Sequence, residues 1–334
     1  MFFLRNLCII RPRCIWTHGK RTPPFARRFV FWGWSRKVNL KDDIVEKQHF
    51  VPQTYLRAWL NSDERLECYD KEKKRSFPNG TTGIANIHFF YETNVLTEKQ
   101  LVFMYKAFIE EEHGSTRDEM LGWLAQFAEK SILQKFCQEN SLIELEKKFR
   151  YNSEEKMYCS YEGKISQWRD IIENGEKEFW SKENEAEFIF WIMLQYVRTK
   201  KMQDSFLRIK EKMNDKELVE NAQNLYRWLS ATKLKSIILN SGDMKIVVLR
   251  NKTSVYFITG DQPVVNIHAA RVEPEKMQYN DFEFFYPLSP TTAVFLSPKE
   301  KYSNWQIIDI DEENVIKYNK DLEILCDRFV YRKL

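Results

Sequence analysis

Three stretches of the chain combine residue types that bind anions or move protons with spacings that would bring them together. In KQHFVPQTYLRAWL, residues 47–60, His49, Gln53 and Arg57 recur every four residues beside apolar Phe50, Val51, Leu56, Trp59 and Leu60. On a helix that spacing stacks an imidazole, an amide and a guanidinium on one face. Such a set can orient and neutralise an anionic group, since Arg grips oxyanions through a planar fork and a His near a helix N-terminus is held neutral. The same trio could instead cap the helix and tie it to acidic neighbours. Pro52 fits a first helical turn and places His49 just ahead of the helix.

The second stretch is FWIMLQYVRTK, where Gln195 and Arg198 share one face of a strongly apolar helix. A buried amide there needs partners, in the protein or on a ligand. The third is FITGDQPVV, in which an apolar strand delivers Asp261 into a Gly-Asp-Gln-Pro turn. A strand-end carboxylate suits a metal ligand or a general base, although Asp also favours turns through its own hydrogen bonds. The run Glu110 to His113 reads as a solvated face. No phosphate-binding glycine loop, GxSxG elbow, HExxH or kinase signature occurs, which disfavours the familiar ATP, serine-hydrolase and zinc-protease mechanisms.

Composition limits the partners. The chain has 334 residues, 43% of them hydrophobic and 15% aromatic, with only 10 Gly and 10 Pro, enough for a large core of long helix-rich elements. Up to Lys37 there are nine basic residues and no acidic one; from Val38 onward 43 basic face 48 acidic residues, so the body is net acidic. Binding to nucleic acid by the body would need a local basic patch. Six scattered cysteines without a CxxC pair argue against zinc and for a reduced cytoplasmic protein, leaving a divalent cation as the cofactor still open. No apolar run reaches membrane-spanning length.

These side chains must be positioned by a framework legible in the periodicity. Residues 1–44 read as a basic aromatic leader outside the working domain, with an organelle-targeting peptide and a nucleic-acid or membrane arm as alternatives. Residues 45–334 read as one α+β domain. Within it, an early hairpin is followed by a helical body from about Thr97 to Asn240, in which Asn152 to Gly175 reads as a polar connector. An antiparallel sheet is then built mainly from C-terminal strands. The last stretch, KDLEILCDRFVYRKL, reads as a helix followed by a strand.

The ordered blocks QHFVPQTYLRAW, HFFYE, WIMLQYVRT, FITGDQPVV, YPLSP and YNKDL…RFVY resemble the domain-of-unknown-function 4238 family over about Glu46 to Tyr331. By that resemblance His49, Pro52, Gln53, Leu56 and Arg57 match its N-terminal block, Gln195 and Arg198 its central helix, and Asp261 and Pro263 its strand-turn block. The chain departs from it at Gly260, where Ser is more frequent, and at Gln262, where Asn is usual. The family supplies no activity.

Together the residues lead to an expected site in which His49 and Asp261 act as catalytic base candidates and Gln53, Arg57, Gln195 and Arg198 hold substrate. An anionic small molecule or a nucleic acid would be the ligand, and a phosphodiester or nucleotide hydrolase of defence or toxin type the enzyme. The competing expectation is a non-catalytic binding or structural module whose polar residues form a buried network.

Overall fold

The computed structural model describes residues 43–211, 215–272, 276–278 and 281–334, so the basic leader lies outside the described residues apart from its last two positions. The first elements are short: β1 Lys47–His49, α1 Gln53–Leu56 with a 3-10 turn over Arg57–Trp59, the hairpin β2 Leu66–Asp70 and β3 Arg75–Asn79, and β4 Asn86–His88. Pro52 stands at the N-cap of α1 in extended conformation, as its fixed φ allows. The tightening to 3-10 geometry at Arg57 breaks the four-residue period that would have stacked His49, Gln53 and Arg57.

The helical body comprises α2 Glu98–Phe108, α3 Gly114–Glu139, α4 Ile143–Glu162, α5 Ile165–Asn174, α6 Lys182–Val197, α7 Lys200–Glu211 and α8 Gln223–Ser241. Its limits are written in local chemistry. Thr97 and Gln100 form a reciprocal capping box at the start of α2, and Gly242, at φ 71°, ends α8 in a left-handed conformation that glycine adopts without a Cβ penalty. Asn152 to Gly175 is not a connector but runs through α4 and α5. Its polar residues Asn152, Ser153 and Glu154 are buried, and Asn152 and Glu154 find partners there that their composition does not reveal. The long pattern from Glu185 is two helices, broken at Arg198 and Thr199. Glu110 to His113 occupies the turn between α2 and α3.

The C-terminal third contains β5 Lys245–Asn251, β6 Thr259–Gly260, β7 Val265–Asn266, β8 Phe284–Ser289, β9 Thr292–Ser297, β10 Gln306–Ile310, α9 Glu312–Leu325 and β11 Phe329–Arg332. One sheet has the order β10-β5-β9-β8-β7, antiparallel except for β10 on β5, and so is mixed. A second has the order β3-β2-β11-β6 and joins the early hairpin to the last strand; β1 and β4 pair separately. The architecture is α+β.

One apolar cluster runs from α1 through α6 and α8 to β8 and β9, and a second packs β5, β8 and β9 against α9. Nearly every residue from Phe188 to Val197 is buried, so α6 is the axis of the body. Tyr55 ties α1 to the sheet, its hydroxyl donating to the Pro287 carbonyl (2.7 Å) beside Thr259 Oγ1 (2.7 Å), while Trp59 Nε1 donates to the Phe257 carbonyl (3.0 Å).

Gly260 belongs to this packing. A Cβ there would lie 2.3 Å from Cys326 Sγ and 2.7 Å from the Phe329 carbonyl oxygen, so a serine has no room between β6 and β11. Gly260→Ser is expected to destabilise the fold by about 1–3 kcal/mol, as overpacking does. Cys326→Ala should restore only part of the loss, because the backbone oxygen remains; urea titration of the two single variants and the double checks both statements.

Candidate functional site

Four of the six expected side chains meet where α6 ends against β1. Arg198 caps α6 with no solvent exposure. Its Nε donates to the Tyr91 hydroxyl (2.9 Å), and its Nη2 donates to the His49 carbonyl (2.7 Å) and to Glu162 Oε1 (2.6 Å). The guanidinium carbon also lies 4.3 Å from the centre of the Tyr158 ring, a cation–π contact. One turn earlier, Gln195 Nε2 donates to the Phe50 carbonyl (3.0 Å). Two side chains at the end of α6 thus hold two consecutive carbonyls where β1 ends, and the Tyr91 hydroxyl donates to the first of them (3.1 Å).

His49 itself is partly buried. Its Nδ1 lies 3.5 Å from Gln53 Nε2, whose amide is the donor, and Gln53 Oε1 accepts from Thr81 Oγ1 (3.3 Å). Burial lowers the imidazole pKa below its ordinary value; the positive charges of Arg198 and Lys47 add to this, and a main-chain group of Thr81 opposes it. The ring is therefore neutral near pH 7. Gln48 is fully buried and structural, accepting from the Tyr91 amide (2.6 Å) and donating to the Tyr151 carbonyl (2.6 Å).

Arg57 and Asp261 stand apart from this network. Arg57 is exposed, and its side chain makes no hydrogen bond or ion pair among the described residues. Asp261 is buried, and its carboxylate accepts from the backbone amides of Asp327 (2.8 Å), Arg328 (2.7 Å) and Phe329 (2.7 Å). Burial raises its pKa while those three amides counteract the rise. The carboxylate thereby clamps the turn between α9 and β11. The strand-turn block nevertheless touches the central helix, since Gln262 Oε1 accepts from Thr199 Oγ1 and Gln262 Nε2 donates to the Tyr196 carbonyl (3.1 Å).

The structure adds residues to the site that the motif reading passed over. Glu155, Tyr158 and Glu162 lie on one stripe of α4 at spacings of three and four, and they, with Tyr91, surround Arg198. The stripe EEKMYCSYE was visible in the sequence and was hidden by its polarity. Glu155 is strongly perturbed: burial first, and then the negative charges of Glu162 and Glu154 against the attraction of Arg198, push its carboxyl up to about 8.

The sign of the pH effect follows. Because the folded state binds the Glu155 proton more tightly than the unfolded state, the stability this group contributes is complete below about pH 4.5 and falls as pH rises to about 8. The steepest slope is about 1.4 kcal/mol per pH unit. Glu155→Gln is expected to flatten this fall and to raise stability at pH 8 relative to wild type; denaturant midpoints at pH 5 and pH 8 measure it.

Several polar atoms of the cluster are buried without a hydrogen-bond partner: Arg198 Nη1, Gln195 Oε1, Glu155 Oε2 and His49 Nε2. Among the described residues no group of three or more His, Cys, Asp and Glu side chains is arranged to hold a metal ion, and no helix is long and apolar enough to cross a membrane.

No curated protein and no solved structure matches the chain. A family model described as a protein of unknown function does, over residues 47–333, which spans β1 to the end of β11 and takes in both the α6 network and the Asp261 clamp. On that match the chain belongs to the DUF4238 family.

Proposed function

We propose that the chain binds an anionic, phosphate-bearing ligand against His49, Gln53, Gln195 and Arg198, and that it hydrolyses a phosphodiester or nucleotide there. The observation that carries this reading is the set of buried polar atoms left unpaired around Arg198, because buried polar groups are otherwise satisfied within a protein. Arg198 Nη1 would donate to a phosphoryl oxygen and Gln195 Oε1 would accept from a ligand hydroxyl or amide. His49, neutral near pH 7, would take the proton of an attacking water at Nδ1, the water displacing the long contact from Gln53 Nε2, as the water oxygen bonds to phosphorus. Glu155, still largely a carboxylic acid at that pH, would give its proton to the departing oxygen as the old P–O bond breaks. Arg57 lies exposed nearby in sequence and would meet only a ligand extending to the surface. Asp261 has no part in the chemistry of this proposal and serves to hold the turn it clamps.

One observation favours a second reading, a binding or structural module. Arg198 and Gln195 already hold the carbonyls of His49 and Phe50 and the carboxylate of Glu162, so much of their hydrogen-bonding capacity is satisfied internally. A screen of the full chain, His49→Ala, Glu155→Gln and Asp261→Asn on nucleotides, RNA and DNA, with and without divalent metal, separates the two. Hydrolysis by wild type that falls about a hundred-fold or more in His49→Ala and Glu155→Gln, but tracks only folded fraction in Asp261→Asn, supports the enzyme. Absence of turnover in wild type, or equal rates in all four proteins, supports the module.

A further inference from the structure

Away from this cluster, an open groove of about 730 Å³ runs between α9 and residues 255–258, with the end of β11 at its edge. Its apolar lining includes Tyr256, Ile316 and Ile324, which are 44%, 51% and 51% exposed. Helix α9 is therefore apolar on two sides. Val315, Leu322 and Leu325 pack into the core below the sheets, whereas Ile316 and Ile324, about two turns apart, line the groove. A surface helix ordinarily carries polar residues on its second side, and an exposed apolar stripe framed by charge marks a contact surface.

The frame is basic. Lys71, Lys320, Arg332 and Lys333 line the groove against one carboxylate, Glu323, although the chain from Val38 onward is net acidic. Two of these cations are fixed: Lys71 Nζ donates to the carbonyls of Glu323 and Cys326 (2.7 Å each), and Arg332 Nη2 donates to Glu323 Oε2 (3.2 Å). Lys320 is exposed, and Lys333 Nζ lies 5.2 Å from the centre of the Tyr256 ring, at the boundary between charge and apolar floor.

We propose that this groove docks an acidic amphipathic helix of a partner protein. The partner would lay apolar residues spaced three and four apart against Ile316, Ile324 and Tyr256 and direct Asp or Glu toward Lys320 and Lys333. Charge complementarity selects this occupant, since the rim repels the basic leader before Val38 while attracting a segment of opposite sign. A solvent-open groove along one face of a helix suits a partner helix better than a small ligand, which requires enclosure.

Fluorescence anisotropy tests the proposal with the full chain and three labelled synthetic peptides. The first is a 16-residue amphipathic helix with Leu or Phe on one face and Glu on the other; the second replaces Glu by Lys; the third scrambles the first. The acidic peptide is expected to bind at least about ten-fold more tightly than the other two and to weaken with salt. Binding should fall about ten-fold or more in Ile316→Asp/Ile324→Asp, and Lys320→Glu/Lys333→Glu should reverse the preference toward the basic peptide. The thermal transitions of both variants confirm that they are folded. Failure of the acidic peptide to bind, equal binding of all three peptides, or unchanged binding in both variants overturns the proposal. So does tighter binding of wild type to vesicles of anionic phospholipid than to any peptide, which would make the groove a lipid site.

Discussion

Arg198→Met is expected to lower the free energy of unfolding by about 3–5 kcal/mol, the range found when one partner is removed from a buried charge pair. Methionine keeps the length and apolar stem of the side chain, so the loss isolates the guanidinium. Its removal leaves Glu162 without its cation, the His49 carbonyl with one donor fewer, and the Tyr158 ring without the charge on its face. Arg198→Lys should recover only a minority of the loss, since an ammonium is a point donor and cannot serve the Tyr91 hydroxyl, the His49 carbonyl and Glu162 in one plane. Glu162→Gln in the Arg198→Met background should restore part of it, because an unpaired carboxylate then becomes an amide. Chemical denaturation of the three variants and wild type checks the ordering. A loss below about 1 kcal/mol for Arg198→Met would mean that α6 and β1 are held together without this network.

The second large effect is expected deeper in the helical body. Lys130 on α3 is 3% exposed and Glu154 on α4 is fully buried; Lys130 Nζ donates to Glu154 Oε2 (3.0 Å), and Trp228 Nε1 on α8 donates to Glu154 Oε1. The lysine also lies 4.3 Å from the centre of the Phe127 ring. Burial lowers its pKa, and the carboxylate partly counters that fall. Glu154→Ala therefore takes the carboxylate away from a buried ammonium and from the Trp228 N–H together, at a cost of about 3–5 kcal/mol. The double variant Lys130→Met/Glu154→Leu is expected to be far closer to wild type than either single variant, because it removes both desolvated charges at similar volume. A double-mutant cycle measured by urea unfolding provides the test. Additive single losses would show that the two groups are not coupled.

Both expected effects involve residues that polarity alone would assign to the surface, and that explains where the sequence could and could not be read. The limits of the helical body were legible, since Thr97, Gln100 and Gly242 act through local backbone chemistry that needs no tertiary partner. The α+β class was legible for the same reason, the change in period near residue 242. Asn152 to Glu162 was misread because its polar groups find Val45, Lys130, Trp228 and Arg198 only when four distant segments pack. The parallel addition of β10 to β5 was likewise out of reach, as Gln306–Ile310 is only half buried and its pairing depends on where the chain returns. In the candidate site, the need of Gln195 and Arg198 for buried partners was legible from two polar residues on an apolar helix. The separation of Asp261 from them was not, because a strand-end carboxylate looks the same whether it faces a cavity or three backbone amides.

The sheet order β3-β2-β11-β6 has a consequence for the order of events during synthesis. The hairpin of Leu66–Asn79 emerges from the ribosome early, yet its inner edge pairs with Phe329–Arg332, more than 250 residues later. Until those residues appear, β2 presents an unsatisfied edge, β6 lacks its partner strand, and the Asp261 carboxylate lacks the amides that hold it. The helical body, rich in near-neighbour contacts, can settle first, whereas closure of this sheet carries the entropy of a very long loop. Closure of this sheet should thus be a late step in folding, and a nascent chain stalled before residue 326 would expose an edge strand to pairing with other chains.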